Sequence, residues 1–250
     1  MLVSIIIITH NFEKYIEETL KSISNQSYKN IEIVVVDDKS TDNTFDIIKG
    51  YADKDKRIKF FQNKENLGRA DSVNFALKKI KGNLIVIFDG DDIMPQERIE
   101  KQVEFMKKNP NTDMSYCNMV KFDEEGNEEF YEAVEFKENP LKRIKRKMND
   151  ESLRTDHSWR ILDDTKYIPG TSAMIKKRVF EKGIKMDPKV WAATDLDLWL
   201  QIVGKGFKLK KADIIGLKYR IHQNQMSKNR DKNPEREYLF NKLKSRKYFK

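Results

Sequence analysis

Three apolar runs in the first 90 residues of the chain, residues 3–8, 31–36 and 84–88, leave little choice of fold. Each is rich in Ile, Val and Leu, and none shows the polar alternation of a strand that faces water. A short run without alternation is covered on both faces, the condition of a parallel sheet with helices above and below. Between the runs the spacing turns helical. Tyr15, Ile16, Leu20 and Ile23 share a face over residues 15–24, and residues 25–28 form a loop. Phe45, Ile47 and Ile48 follow a cap at Thr41 or Asp42, and Val73, Ala76, Leu77 and Ile80 mark a helix over residues 70–79 that Gly82 stops. With Ile58–Phe61 as a further strand, this is the βαβαβ order of a doubly wound α/β sheet with right-handed crossovers.

Beyond residue 95 the pattern predicts a helix over 96–108 ended by Asn109-Pro110 and a strand over 113–122. Residues 123–164, with the basic run 142–147, read as a variable, partly mobile insertion. A strand at 173–175, a short helix at 178–181 and a helix at 196–203 closed by Gly204-Lys205-Gly206 follow. The tail from Arg230 is basic with interleaved aromatics and reads first as a helix packing on the domain, second as a contact with anionic lipid.

The 250 residues suffice for one sizeable α/β domain, and 36% charged residues imply a heavily charged surface. The excess of 49 Lys and Arg over 40 Asp and Glu favours anionic partners, although lysine is spread along the whole chain. A single cysteine, Cys117, excludes an internal disulfide and zinc spacing, which suits a reducing cytoplasm. The N-terminal apolar run is too short for a membrane span, so the chain reads as soluble or peripheral at the inner face of a membrane.

Asp89, Asp91 and Asp92 directly follow the run at 84–88, at the carboxyl end of a buried strand, where open α/β sheets bind ligands. So dense a set of hard oxygens points to a divalent cation, Mn2+ or Mg2+, with an acidic turn capping the next helix as the plainer reading. Asp37-Asp38 holds the equivalent place after the second run, where a carboxylate can accept from a base N–H or a ribose hydroxyl. Thr9-His10-Asn11 completes three loops on one rim. No GxGxxG and no GxxxxGK[ST] occurs, which disfavours dinucleotide and P-loop modes. Asp195 and Asp197 alone would be helix caps, and His222 alone a surface histidine.

Taken in order, residues 4–11, 32–42, 66–68, 89–92, 194–200 and Tyr219-Arg220-Ile221-His222 resemble the family 2 glycosyltransferases over about residues 3–227. The resemblance implies a GT-A fold, a Rossmann-like three-layer α/β/α unit with a mostly parallel sheet and a C-terminal helical extension. It divides the chain into a domain at 1–228, with a nucleotide half at 1–110 and an acceptor half at 111–228, and a tail at 229–250. It implies an inverting transfer from a nucleotide-diphosphate sugar, by default a UDP-sugar, to a hydroxyl of a glycan or lipid-linked acceptor in cell-surface polysaccharide synthesis. Thr9 and Asp38 fall near the base, Asp89 near the ribose, Asp91 on the metal, and Asp195 at the catalytic base. His10, Asn11, Asn66, Arg69 and Gly90 sit in the donor-binding motifs. His222 matches a histidine that reaches the metal or diphosphate, Asp89 and Asp92 are further candidates for the ion, and Arg220 is placed to assist. Two departures stand out: Ser72-Val73-Asn74 lacks the family's arginine, for which Arg69 is the substitute, and Thr194 replaces an acidic neighbour of Asp195. A metal-dependent nucleotidyltransferase is the second enzyme reading, but residues 9–20 lack the glycines of a triphosphate loop. A non-enzymatic membrane or nucleic-acid binder is the third, and nucleic acid is not an expected partner.

Overall fold

The computed structural model describes residues 1–136, 168–191, 193–223, 225, 238, 239, 241, 242 and 245. Their strands are β1 (Val3–Thr9), β2 (Ile31–Asp37), β3 (Ile58–Gln62), β4 (Leu84–Asp89), β5 (Met114–Asp123), β6 (Glu128–Tyr131), β7 (Met174–Lys176) and β8 (Leu209–Ile221). The helices are α1 (Ile16–Ser24), α2 (Thr44–Lys54), α3 (Gly68–Leu77), α4 (Arg98–Lys108), α5 (Lys177–Glu181) and α6 (Thr194–Gly204), with a 3-10 turn at Gly170–Ser172. The strands form one mixed sheet in the order β3-β2-β1-β4-β7-β5-β6, and β8 pairs with β5.

The absence of alternation in the apolar runs now has its cause. Ile6, Ile8, Val34, Val36, Ile85 and Ile87 pack on one face with Val73 and Ala76 of α3, Val179 of α5, and Leu198 and Ile202 of α6. Their neighbours Ile5, Ile7, Ile33, Val35, Val86 and Phe88 pack on the other with α1, Ile48 of α2, and Ile99 and Val103 of α4. Both faces of β1, β2 and β4 are therefore core, and burying each such side chain is worth roughly 1.5–3 kcal/mol. β1 runs parallel to β2 and β4, with Thr9 opposite Asp37 and Ile8 opposite Asp89. The chain leaves β1 toward β2 on one side and returns at β4 on the other, so the three carboxyl ends meet at a topological switch point.

Two expectations need correction. Residues 123–131, expected to be irregular, form a hairpin in which β6 pairs antiparallel with β5. Asp123 Oδ1 accepts from the backbone N–H of Glu125 and Asn127, and Gly126 takes the positive φ of 86° that closes the turn. The other is β8, a strand of 13 residues where no strand was expected, parallel to β5 with register shifts around Asn118. Gly82 also acts otherwise than as a helix stop: α3 has ended at Leu77, and a Cβ at Gly82 would lie 2.5 Å from Ser4 Oγ. That contact closes a buried knot in which Glu32 accepts from the Ser4 hydroxyl and from the backbone of Lys81 and Gly82. Burial alone would raise the Glu32 carboxyl, but these donors and Lys59 outweigh it and hold it below its ordinary value. The basic run 142–147 lies outside the described residues. Among those described, no helix is long and apolar enough to cross a membrane.

Candidate active site

The carboxyl ends of β1, β2 and β4 open into a cavity of about 310 Å³. Its walls include six of the expected donor-binding residues, Thr9, His10, Asp38, Asn66, Arg69 and Asp89. Asn11 and Gly90 stand behind them. Asn11 has a positive φ of 56°, and its Oδ1 accepts from Thr41 N–H at 2.8 Å, which shapes the loop after β2. Gly90 lets two loops touch, since a Cβ there would lie 2.9 Å from Thr9 Cβ.

Asp37 and Asp38 divide their work. Asp37 is fully buried and accepts from the Ser40 hydroxyl, Ser40 N–H and Gln62, a purely structural set. Asp38 accepts from Asn63 and Leu67 N–H on one oxygen and from Gly68 N–H on the other, fixing the turn that starts α3. His10 Nδ1 lies 2.8 Å from the Asp38 carbonyl, which can only accept, so Nδ1 carries the proton. Its Nε2 is then the acceptor for the amides of Asn11 and Asn66. Thr9 Oγ1 is buried without a hydrogen-bond partner among the described residues.

The acidic cluster separates into three roles. Asp89 takes Arg69 Nε at 2.9 Å, and its carboxyl is pushed up by burial and by Asp91 despite that arginine. Asp91 lines the cavity, with Oδ2 at 2.9 Å from His222 Nε2. Asp92 turns inward, accepting from Arg220 N–H at 3.0 Å and the Thr171 hydroxyl at 3.2 Å. Burial, then the charges of Asp91 and Asp89, raise its carboxyl well above the ordinary value. Asp92 is thus absent from the cavity wall and caps no helix; it fastens β8 and the 3-10 turn to the end of β4. Thr19 Oγ1 donates to the carbonyls of Gly90 and Asp92, and Ile93 bridges Lys218 of β8, so the acidic loop is held from both sides. β8, the strand that was not expected, delivers His222 to Asp91.

A divalent ion fits this set in part. Asp91 lines the open cavity, and His222 Nδ1 is buried without a hydrogen-bond partner among the described residues. Yet no three His, Cys, Asp or Glu side chains among those described converge as a ligand set. An ion held at Asp91 would complete its shell with water or ligand oxygens, as Mg2+ and Mn2+ sites do. Arg220 is not among the residues that line the cavity. Its guanidinium is sandwiched between Tyr15 and Phe122, donates to the Asp91 carbonyl and pairs with Glu18, which makes it a support for the loop.

Asp195 comes from the far side, in the first turn of α6, and its Oδ1 accepts from Leu196 N–H at 2.8 Å. Oδ2 lies against Gly170, where a Cβ would approach it to 2.9 Å. Arg69 links the two sides, donating to Asp89 and, through NH1, to Thr194 Oγ1 at 3.0 Å. Asp89, Asp195 and Asp91 together keep its guanidinium pKa raised, against the lowering effect of burial. Gly170 and Thr171 of the 3-10 turn, and Trp191, which is 52% exposed, also line the cavity; none was singled out from sequence. Pro169-Gly170 and a tryptophan four residues before Asp195 were the signals available.

The chain is similar in sequence and in fold to known proteins. The model of the family described as Glycosyl transferase family 2 matches residues 4–184. An uncharacterized glycosyltransferase of Methanocaldococcus jannaschii is 36% identical over 225 residues, 88% of this chain and 71% of the relative. The Escherichia coli UDP-Glc:alpha-D-GlcNAc-diphosphoundecaprenol beta-1,3-glucosyltransferase WfaP is 33% identical over 232 residues, 92% of this chain and 82% of the relative. Among solved structures, S. aureus TarS 1-349 in complex with UDP-GlcNAc superposes with a TM-score of 0.70 at 24% identity, covering 90% of this chain and 60% of that one. Mannosyltransferase PcManGT from Pyrobaculum calidifontis, in complex with GDP-Man and Mn2+, gives 0.65 at 21%, covering 89% and 57%. At such identities these two speak to the fold, and the chain spans about three fifths of each.

Proposed function

The chain belongs to glycosyl transferase family 2, and on that premise we propose that it moves a sugar, with inversion, from a UDP-sugar to a hydroxyl of a glycan or lipid-linked acceptor in cell-surface polysaccharide synthesis. It is a glycosyltransferase; the nucleotidyltransferase and non-enzymatic readings have no support left. One observation carries the finer reading: Asp38, Asp89, Asp91 and Asp195, from three distant segments, line a single cavity. A relative that uses UDP-Glc on a diphosphoundecaprenol-linked sugar supports the donor and acceptor classes.

On this reading residues 1–110 hold the nucleotide and residues 111–228 the acceptor, with residues 229–250 as a tail. Thr9, with its unpartnered hydroxyl, and Asp38 face the base, Asp89 the ribose. His10 and Asn66 wall the donor side, and Asn11 and Gly90 shape the loops behind it. Asp91 would hold Mn2+ or Mg2+, and His222 would join it where the ion replaces the Asp91–His222 hydrogen bond. The ion, when bound, would neutralise charge growing on the leaving diphosphate. Asp195 Oδ2 takes the acceptor hydroxyl proton as the new C1–O bond forms and the C1–O bond to the diphosphate breaks, the electron pair leaving with the nucleotide. Arg69 keeps Asp89 and the start of α6 in register.

Release of UDP from UDP-glucose or UDP-GlcNAc with Mn2+ tests this. Asp195→Asn should retain UDP binding and lose turnover by about 10²–10⁴-fold, the usual contribution of a general base. Asp91→Ala should lose the Mn2+-dependent part of UDP binding. Wild-type turnover in Asp195→Asn would sink the base assignment.

A further inference from the structure

The C-terminal segment was expected to pack on the domain or to meet lipid, and its described residues reach the active-site helix. Tyr238, Leu239, Asn241 and Lys242 are helical. Tyr238 and Lys242, four apart and so on one face, meet Asp187 Oδ2 at 2.8 Å and 2.7 Å. Lys242 Nζ also donates to Asp197 Oδ1 at 2.5 Å, and Leu239 is only 3% exposed. Asp197 is fully buried in the first turn of α6, two residues from Asp195. A carboxylate so placed is costly unless paired with a cation, and leaving it alone is far worse than never having buried it. Gln201 donates to its other oxygen as an uncharged partner, and Lys242 brings a positive charge to it.

The same lysine ties two parts of the site. Asp187 follows Met186, whose backbone exchanges hydrogen bonds with the Asn74 amide of α3 and whose sulfur faces Arg69 NH1. Lys242 therefore couples the segment behind Arg69 to the turn of α6 that carries Asp195. Burial would raise the Asp187 carboxyl, but Lys242 and Tyr238 more than offset it and hold it below the ordinary value, as expected of a pair that stays ionised.

We infer that Lys242 is a positioning residue for the catalytic base: through Asp197 and Asp187 it seats the first turn of α6 so that Asp195 faces the cavity. The inference rests on the reading of Asp195 as the base. Its test compares Lys242→Met, which keeps the apolar stem, with Lys242→Arg, Asp197→Asn and Asp195→Asn in the full chain.

In Lys242→Met, turnover of UDP-GlcNAc or UDP-glucose should fall by up to about a hundredfold, the usual scale for a misplaced catalytic group. The thermal shift given by UDP with Mn2+ should stay at the wild-type value, and Lys242→Arg should restore most of the rate. In the Asp197→Asn background, Lys242→Met should add little, because the buried charge it answers is gone. Independently of turnover, hydrogen exchange should rise in residues 194–204 of Lys242→Met and stay unchanged in β1, β2 and β4. Unchanged exchange in α6, or a full turnover rate in Lys242→Met while Asp195→Asn is inactive, would overturn the positioning role. Full turnover in Asp195→Asn would instead remove the reading beneath it.

Discussion

At the scale of single residues, glycines separate activity from stability. The three atoms nearest a Cβ at Gly170 all belong to the Asp195 side chain, Oδ2 at 2.9 Å, Cβ at 3.1 Å and Cγ at 3.3 Å. Asp195 can answer by turning its carboxylate away, so Gly170→Ala should leave the melting temperature near wild type and lower turnover by about ten- to a hundredfold. At Gly82 the added carbon would meet backbone, Ser4 N at 2.7 Å and Leu2 O at 2.9 Å, besides Ser4 Oγ. Backbone in the sheet cannot step aside. Gly82→Ala should cost about 1–3 kcal/mol by overpacking and lower the melting temperature by roughly 2–4 °C for each kcal/mol, with KM unchanged in the surviving protein. Measured together, melting curves and UDP-release kinetics separate the two. The sequence shows why residue roles were only half legible. Strand ends put Asp89, Asp91 and Asp92 on the right rim, but which carboxylate faces inward depends on Arg220 N–H and Thr171, residues from distant segments that no local pattern announces.

At the scale of elements, legibility followed burial. β1, β2 and β4 were plain because both their faces are core and their sequences say so. β8 was hidden because Lys210, Lys211, Asp213 and Lys218 interrupt it and its register against β5 shifts near Asn118, so no period of two survives. The turn between α2 and β3 offers a pH test. Asp55 accepts from Arg57 Nε, Arg57 NH2 and Arg57 N–H, and from Ser24 at the end of α1. The Arg57 side chain above all lowers its carboxyl from 3.8 to about 2. A carboxylate depressed in the folded state stabilises fully above its unfolded pKa, and that stability is lost as pH falls through the folded one. The contribution is therefore intact at pH 7 and disappears between about pH 4 and 2. Asp55→Asn should melt below wild type at pH 7, and the gap should narrow steadily as the buffer is taken from pH 5 toward pH 3. A gap that stays constant over that range would show that packing, not the ion pair, holds the turn.

At the scale of the whole molecule, one sheet carries both sides of the site. β7 pairs antiparallel with β4 and β5, joining the strands that end in Asp37 and Asp89 to those that lead toward His222. The cavity exists only when this sheet is complete, because its wall draws on Thr9, Asp38, Asp91, Asp195 and Tyr219 at once. A ligand of that cavity then binds the folded chain and not the unfolded one. UDP at about a hundred times its dissociation constant should add about 2.7 kcal/mol, a rise in melting temperature of roughly 5–10 °C for a chain of this size. The proposed metal role divides that rise into two parts. With Mn2+ present the full shift should appear; with chelator only the part owed to the base and ribose contacts should remain. Asp91→Ala should give the smaller shift under both conditions, whereas Asp38→Ala, which loosens the turn at 66–68, should reduce it under both without abolishing the Mn2+ dependence. Equal shifts with Mn2+ and with chelator in the wild-type protein would remove the ion from the donor site, and a wild-type response in Asp91→Ala would remove Asp91 from the ion.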